Sequence, residues 1–353
     1  MVLEKKQVVC ILVNVICIKM IMTYPRILVQ NMGNAAWINI IYVSLITLLL
    51  YFCISRLYKP EYGNFLTAAE TLGGKAFKGI TGAVFAALLI LNIAFSVRSY
   101  PETVKTVLLT ETKMQLIVLI YIAAAAIGAV FGIENNARIQ AIFMPVAAVV
   151  MAGFFLLSIP YWKLNNIMPV LGNGAGQLFA RGALNITMFS DIVLLNYLMP
   201  YMRTKRDIKN SGYAAIIISG IISVFIVGTY NLIYPYPISG DFILPAYQIS
   251  RIVRLGMFFQ RWEAFFQFVW SIAMYLYTSL YIAVIAGIIA DAFDLRYSRP
   301  IVFPVSIITA CAAFMMNMKN SADIVAVSAY AMIVLAFCVP ILFGAVMRLK
   351  KRG

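Results

Sequence analysis

Histidine is absent from this chain of 353 residues, and only 13 residues are acidic. Without histidine, the chain has no imidazole general base, imidazole metal ligand or imidazole proton relay. Its five cysteines all lie in apolar runs without metal-type spacing, which is typical of buried small hydrophobes. The sequence also lacks a nucleophile elbow, a P-loop and a glycine-rich dinucleotide fingerprint. We therefore expect no enzyme, no cofactor and no metal site.

Charged residues of both signs are scarce. They make up 12% of the chain, against about a quarter in soluble domains, while 63% of the residues are hydrophobic and the mean hydropathy is +0.91. The apolar runs recur from Val8 to Met347 without a break long enough for a soluble domain. The first run is long and lacks a small-residue cleavage site, so we do not expect a cleaved signal peptide. Residues 1–353 are therefore predicted to form one integral membrane domain.

The lengths of the apolar runs predict the number of membrane spans. A spanning helix needs about 20 apolar residues. The sequence predicts ten transmembrane helices, numbered here as spans one to ten, at residues 8–30, 36–55, 79–98, 114–132, 137–159, 184–202, 212–234, 262–290, 300–318 and 325–347. The eighth is longer than a bilayer requires and is expected to tilt or to project outward. The fold class is therefore that of an all-α membrane protein.

The distribution of lysine and arginine predicts the orientation, since cytoplasmic segments carry an excess of both. With the N-terminus inside, ten of the 28 basic residues lie outside: Arg26, Arg98, Lys105, Lys113, Lys163, Arg181, Arg251, Arg254, Arg261 and Lys319. Lys19 lies within a span, which leaves seventeen on the inner side. Both termini are therefore expected to be cytoplasmic.

Basic clusters beside apolar spans explain the net charge of +15, because such clusters meet anionic lipid head groups. Membrane lipids are therefore expected partners and nucleic acid is not. Two loops also show helical spacing. Residues 64–77 predict a short helix on the inner membrane surface, and residues 244–258 predict one on the outer side. Their apolar faces are Phe65, Ala69, Leu72 and Ala76 in the first, and Ala246, Ile249, Val253 and Met257 in the second.

Two charged residues lie far from the ends of predicted spans, and an ionisable group in a span is a functional candidate by default. Lys19 lies roughly 16 Å from the inner end of span one, and Asp191 lies about 10 Å below the outer start of span six, at about 1.5 Å of rise per residue. The two can therefore approach one another if the spans are neighbours. Other polar side chains lie at similar depth: Thr23, Asn92, Ser96, Thr187, Tyr277, Thr278 and Tyr281.

Two interpretations of these residues stay open. In the first, Lys19 and Asp191 only neutralise each other, or Lys19 extends toward an interface. In the second, they line a polar pocket near the midplane, where a zwitterionic ligand meets both signs of charge. The convergence of polar residues favours the second, although serine and threonine often bond their own backbone in membrane helices.

Several stretches together resemble one family across the whole chain. The matching features are Gln7, Pro25, Gly33 and Trp37 around span one, "GIENNARIQAIFMP" at 132–145, "FFQRWEAFFQFVW" at 258–270 and "YSRPIVFP" at 297–304. These motifs are similar to those of the spore germination permeases, the B subunits of GerA-type germinant receptors. That family in turn resembles the amino acid–polyamine–organocation transporters.

The resemblance implies five-plus-five inverted repeats, at about 8–159 and 184–347, with a pocket between spans one, three, six and eight. In such transporters glycines unwind span one and expose backbone donors to the ligand. Here the matching positions are Ile18, Lys19 and Met20, and span six has no glycine beside Asp191. The Lys19 ammonium is therefore expected to do by charge what an exposed backbone does elsewhere.

The family implies a receptor subunit that senses a small germinant of the amino acid class in the spore inner membrane or bacterial cell membrane and signals with A- and C-type subunits. The fold alone would equally suit an amino acid or cation symporter, because a fold does not determine a function. A structural membrane subunit with a vestigial pocket is the third alternative, since the glycines are missing.

Overall fold

The computed structural model describes residues 2–21, 24–58, 60–242, 244–252, 262–316 and 321–350. In these ranges the chain is almost entirely helical, and its only β-type pairing is an isolated parallel bridge between Leu3 and Met202. The helices are α1 (Lys5–Ile21), α2 (Tyr24–Met32), α3 (Ala36–Leu57), α4 (Phe65–Val107), α5 (Met114–Val130), α6 (Gly132–Ser158), α7 (Val193–Leu198), α8 (Lys205–Ile233), α9 (Pro245–Ile252), α10 (Trp262–Ala292), α11 (Val302–Met315), α12 (Ser321–Ile333) and α13 (Val339–Lys350).

The helices confirm the all-α membrane fold class. In the described part of the chain, seven helical segments are long and apolar enough to cross a membrane: Tyr24–Leu57, Phe65–Val107, Gly132–Tyr161, Gln177–Tyr201, Lys205–Ile233, Glu263–Ala292 and Val327–Leu349. Two shorter apolar helices, Met114–Val130 and Arg299–Met315, occupy predicted spans four and nine. Predicted span one is divided between α1 and α2. The boundaries of the two repeats stay a prediction.

The predicted inner short helix is the first part of α4. It begins at Phe65 behind the N-cap Asn64, whose side chain accepts a hydrogen bond from the Thr67 backbone amide at 2.9 Å. At Gly74 the backbone leaves the helix, with φ 75° and ψ −171°, a conformation that glycine adopts readily. The sequence predicts that Ala76 continues the apolar face of Phe65 and Ala69. The structure corrects this, because the non-helical backbone at Gly74 interrupts the helix between them: Phe65 and Ala69 are buried against the protein, whereas Ala76 is exposed.

Span six is not the regular α-helix that the sequence predicts. Residues Gly182–Ile192 form a 3-10 helix, and α7 continues from Val193. The Asn39 side chain on α3 accounts for part of this: it donates to the Leu178 carbonyl at 3.1 Å and accepts from Asn185 Nδ2 at 2.7 Å. The Asn39 amide thus supplies hydrogen-bond partners to span six where its backbone departs from a regular α-helix.

The predicted outer short helix is α9, and its expected faces are partly described. Ala246 and Ile249 are buried, while Arg251 is exposed. Val253, Arg254 and Met257 lie outside the described residues.

The packing of four segments positions the charged residues. Helix α1 lies against α6, α8 and the 3-10 helix of span six, and α10 packs against α4, α5 and α6. Helices α5 and α10 approach closely at Gly128, where an added Cβ would lie 2.4 Å from the Tyr275 hydroxyl. Spans one, three, six and eight therefore surround one buried region.

Candidate ligand site

An ion pair between spans one and six lies at the centre of this region. Lys19 Nζ lies 2.7 Å from Asp191 Oδ2. The Asp191 side chain is fully buried, whereas the Lys19 side chain is 18% exposed. Lys19 belongs to the last turn of α1, where the helix dipole favours a positive charge. The sequence placed these two residues at compatible depths, and the structure brings them into contact.

The other oxygen of Asp191 is bound by spans three and eight. The Tyr281 hydroxyl donates a short hydrogen bond to Asp191 Oδ1, and Asn92 Nδ2 donates to the same oxygen at 3.2 Å. Asn92 Nδ2 also lies 3.3 Å from the Tyr281 hydroxyl oxygen. One carboxylate thus connects four spans through Lys19, Asn92 and Tyr281.

These contacts are what a buried carboxylate requires. An isolated charge in an apolar interior is very costly, and it is retained when it is paired and its remaining lone pairs accept hydrogen bonds. Asp191 meets both conditions, because Lys19 approaches one oxygen and Tyr281 and Asn92 donate to the other. Among the described residues, Oδ2 has no hydrogen-bond partner besides the Lys19 ammonium.

Ser96 and Tyr277 extend the site by one turn. Both are buried, and the Tyr277 ring lies 4.8 Å from the Tyr281 ring, centroid to centroid. Ser96 and Tyr281 flank the Tyr277 hydroxyl, but within the described ranges no group forms a hydrogen bond of ordinary geometry with it. This buried hydroxyl therefore lies beside the ion pair without a well-formed hydrogen bond to any described residue.

Two predicted residues have other partners. Thr278 Oγ1 lies 2.6 Å from the hydroxyl of Tyr121 on α5, which also donates to the Met274 carbonyl at 2.9 Å. Thr187 Oγ1 lies 2.8 Å from the hydroxyl of Tyr24, the first residue of α2. Thr23 lies outside the described residues. Their assignment to the site stays a prediction.

Sequence reasoning missed Tyr24 and Tyr121. Tyr24 also donates to the Asn185 carbonyl at 3.1 Å, so it fastens α2 to the 3-10 helix of span six. The available signal was its position directly after Thr23 in a span that already carries Lys19. Tyr121 offered no such signal, because an isolated tyrosine in an apolar run is ordinary.

The charged groups of this site suit the binding of a zwitterion. An ammonium and a carboxylate in contact can each accept the opposite charge of a zwitterion, while Tyr281, Asn92 and Tyr277 offer hydrogen bonds. In the described part of the chain, no three Cys, Asp or Glu side chains come together as a metal-binding set.

A second charged cluster lies at the C-terminal end of α10. Lys78 Nζ lies 2.6 Å from Asp294 Oδ1 and 3.1 Å from Glu70 Oε2, so it joins both sides of the Gly74 kink to the segment after α10. Its ammonium holds the pKa of the Asp294 carboxyl below the ordinary value. Nearby, the Tyr197 hydroxyl donates to Asp291 Oδ2 at 2.9 Å. These contacts tie the first part of α4 to the end of α10.

The family model and the similar sequences indicate the same family. Residues 2–324 match the family model described as "Spore germination protein". Spore germination protein A2 of Bacillus subtilis (strain 168) is 24% identical over 262 residues, which cover 72% of this chain and 71% of that protein. Spore germination protein B2 of the same organism is 21% identical over 257 residues, covering 71% and 69% respectively.

Comparison with solved structures gives the same architecture as that of a transporter. Mhp1, a nucleobase-cation-symport-1 family transporter in a closed conformation with bromovinylhydantoin bound, superposes with a TM-score of 0.68. The match covers 93% of this chain and 75% of that chain at 14% identity, so it concerns the fold alone. The expectation of a transporter-like membrane fold is confirmed.

Proposed function

The chain belongs to the spore germination protein family, and from that premise we propose that it is the membrane subunit of a germinant receptor. Its ligand is a small zwitterion of the amino acid class, bound at Lys19 and Asp191. Asn92, Ser96, Tyr277 and Tyr281 complete the site, and Thr23, Thr187 and Thr278 remain candidates at its margin.

The observation that supports this proposal best is the buried Lys19–Asp191 contact at 2.7 Å. The carboxylate of an amino acid suits the Lys19 ammonium, and its amino group suits Asp191. Such a ligand would replace one ion pair by two, without leaving either side chain uncompensated. The partly exposed Lys19 can turn toward the ligand, whereas the fully buried Asp191 is held by Tyr281 and Asn92.

Signalling requires that the ligand prefers one of two conformations. A difference of about 5.5 kcal/mol in binding free energy moves such an equilibrium from 1:99 to 99:1. The site joins spans one, three, six and eight, so a ligand inserted between Lys19 and Asp191 acts on all four. We propose that A- and C-type subunits of the receptor respond to this change in the spore inner membrane.

A symporter of amino acids or cations is the second candidate, and the likeness to the Mhp1 fold favours it. The two functions differ in transport. We expect purified protein in vesicles to bind a labelled amino acid saturably without accumulating it, and spores without the chain to lose their response to that amino acid. Accumulation driven by an ion gradient would establish the symporter instead.

The proposed orientation, with both termini cytoplasmic, has a test built on one helix. Lys209 lies in the second turn of α8, while the Lys163 backbone amide donates to the Leu232 carbonyl near its other end, at 2.9 Å. Both side chains are exposed. In a chain without native cysteines, Lys163→Cys should react with an impermeant thiol reagent in intact cells. Lys209→Cys and Arg352→Cys should react only after permeabilisation. The reverse pattern would invert the topology.

A further inference from the structure

A cavity of about 220 Å³ lies between α1, α6, α8 and α10. Its walls include Cys17, Ile18 and Ile21 of α1, and Trp270 and Ala273 of α10. Cys17, Ile18 and Ile21 flank Lys19 in the chain, so the cavity borders the same turns of α1 as the ion pair. Nothing in the proposed ligand site uses this space.

The cavity offers almost no hydrogen bonds. Its lining is aliphatic, aromatic or sulfur-containing except for Asn14. Asn14 Nδ2 already donates to Gln140 Oε1 and to the Ala273 carbonyl, each at 3.3 Å. The Trp270 indole N–H is buried away from the free space. Apolar cavities of about 150 Å³ can stay dry and bind small apolar molecules, so hydrocarbon is the chemistry that fits here.

The cavity reaches the membrane-facing side of α6. Ala148 and Ala152 line it and are themselves exposed, and their side chains are too small to close the wall. The neighbouring side chains of Ile142 and Val149 are 75% and 73% exposed, which places this face of α6 against lipid. A hydrocarbon chain can therefore enter from the bilayer between α6 and its neighbours.

We propose that the cavity binds an acyl chain of a bilayer lipid. The chain enters beside Ala148 and Ala152 and ends against Cys17, Ile18 and Trp270. Its occupancy supports the last two turns of α1, and so it bears on the position of Lys19. The site is independent of the proposed germinant site, since it needs neither charge nor a polar ligand.

The fluorescence of Trp270 tests this binding. The chain has four tryptophans, so Trp37→Phe, Trp162→Phe and Trp262→Phe together leave Trp270 as the only emitter. Its side chain is 3% exposed, so lipid that stays outside the helices makes little contact with it. The full-length protein is placed in phosphatidylglycerol vesicles whose acyl chains carry bromine near mid-chain, and in matched vesicles without bromine. We expect the brominated chains to remove at least half of the emission.

Matched variants on α6 distinguish an acyl chain inside the cavity from lipid that is only close to Trp270. Ala152→Phe fills the mouth of the cavity and should restore most of the emission. Val149→Phe makes a similar change on the exposed surface outside the lining and should restore none. Circular dichroism checks that each variant is folded, and Ala148→Phe replaces Ala152→Phe if the latter is not. Equal quenching in both variants, or no quenching at all, would overturn the proposal. Quenching by a free bromoalkane but not by brominated lipid would also overturn it, since the cavity would then take only small apolar molecules.

Discussion

Lys19→Met is expected to destabilise the protein strongly, and more than Asp191→Asn does. Removing one partner of a buried ion pair costs about 3–5 kcal/mol, because the other charge stays buried and unpaired. Asp191 is fully buried and its Oδ2 atom has Lys19 as its partner. Lys19→Met therefore leaves a buried carboxylate without a counter-charge. In Asp191→Asn, the 18% exposed Lys19 side chain can move toward water, and Tyr281 and Asn92 still find an acceptor in the new amide.

The double variant Lys19→Met with Asp191→Asn is the control. It removes both charges together, so its stability should lie well above that of Lys19→Met alone. The measurement is the thermal unfolding of purified protein, together with the amount in the membrane. Equal stability of Lys19→Met and the original chain would show that the two charges do not depend on each other.

Tyr281→Phe is expected to impair the site, whereas Tyr277→Phe is not. The two substitutions remove the same atom one turn apart on α10. Of these two hydroxyls, that of Tyr281 donates to Asp191. A hydrogen bond to a charged group contributes about 1.5–3 kcal/mol. Every 1.4 kcal/mol corresponds to a tenfold change in affinity, so the half-maximal germinant concentration should rise about tenfold in Tyr281→Phe.

Tyr277→Phe removes a buried hydroxyl that has no hydrogen-bond partner of ordinary geometry within the described residues, so its stability should be unchanged or slightly higher. The readouts are thermal unfolding and the germinant dose response of spores. If the two variants gave the same dose response, Asp191 would not need Tyr281 for ligand recognition. A large effect of Tyr277→Phe alone would instead move the ligand toward Ser96.

Depth along the span was the most informative signal in the sequence. It placed Lys19, Asn92, Asp191 and Tyr281 at compatible heights, because the rise per residue of a helix is fixed. It did not determine direction around the helix axis. Thr278 lies at the right height but faces Tyr121 on α5, because the packing of α10 against its neighbours sets that direction.

The irregular backbone of span six was beyond prediction for a different reason. Its 3-10 segment is held partly by Asn39, which lies more than a hundred residues earlier in the chain. The kink at Gly74 had a local signal in the Gly73-Gly74 pair, but the spacing of Phe65, Ala69 and Ala76 indicated a continuous helix. The cavity beside α1 depends on four helices at once, so no local pattern reports it.

Binding of a labelled amino acid to purified protein tests the zwitterion site most directly. Equilibrium dialysis compares the original chain with the double variant Lys19→Met and Asp191→Asn, which carries neither charge, after circular dichroism has shown both to be folded. Saturable binding to the original chain that is lost in the double variant is the predicted result. Binding of equal affinity to both would show that the ligand does not use the Lys19–Asp191 pair.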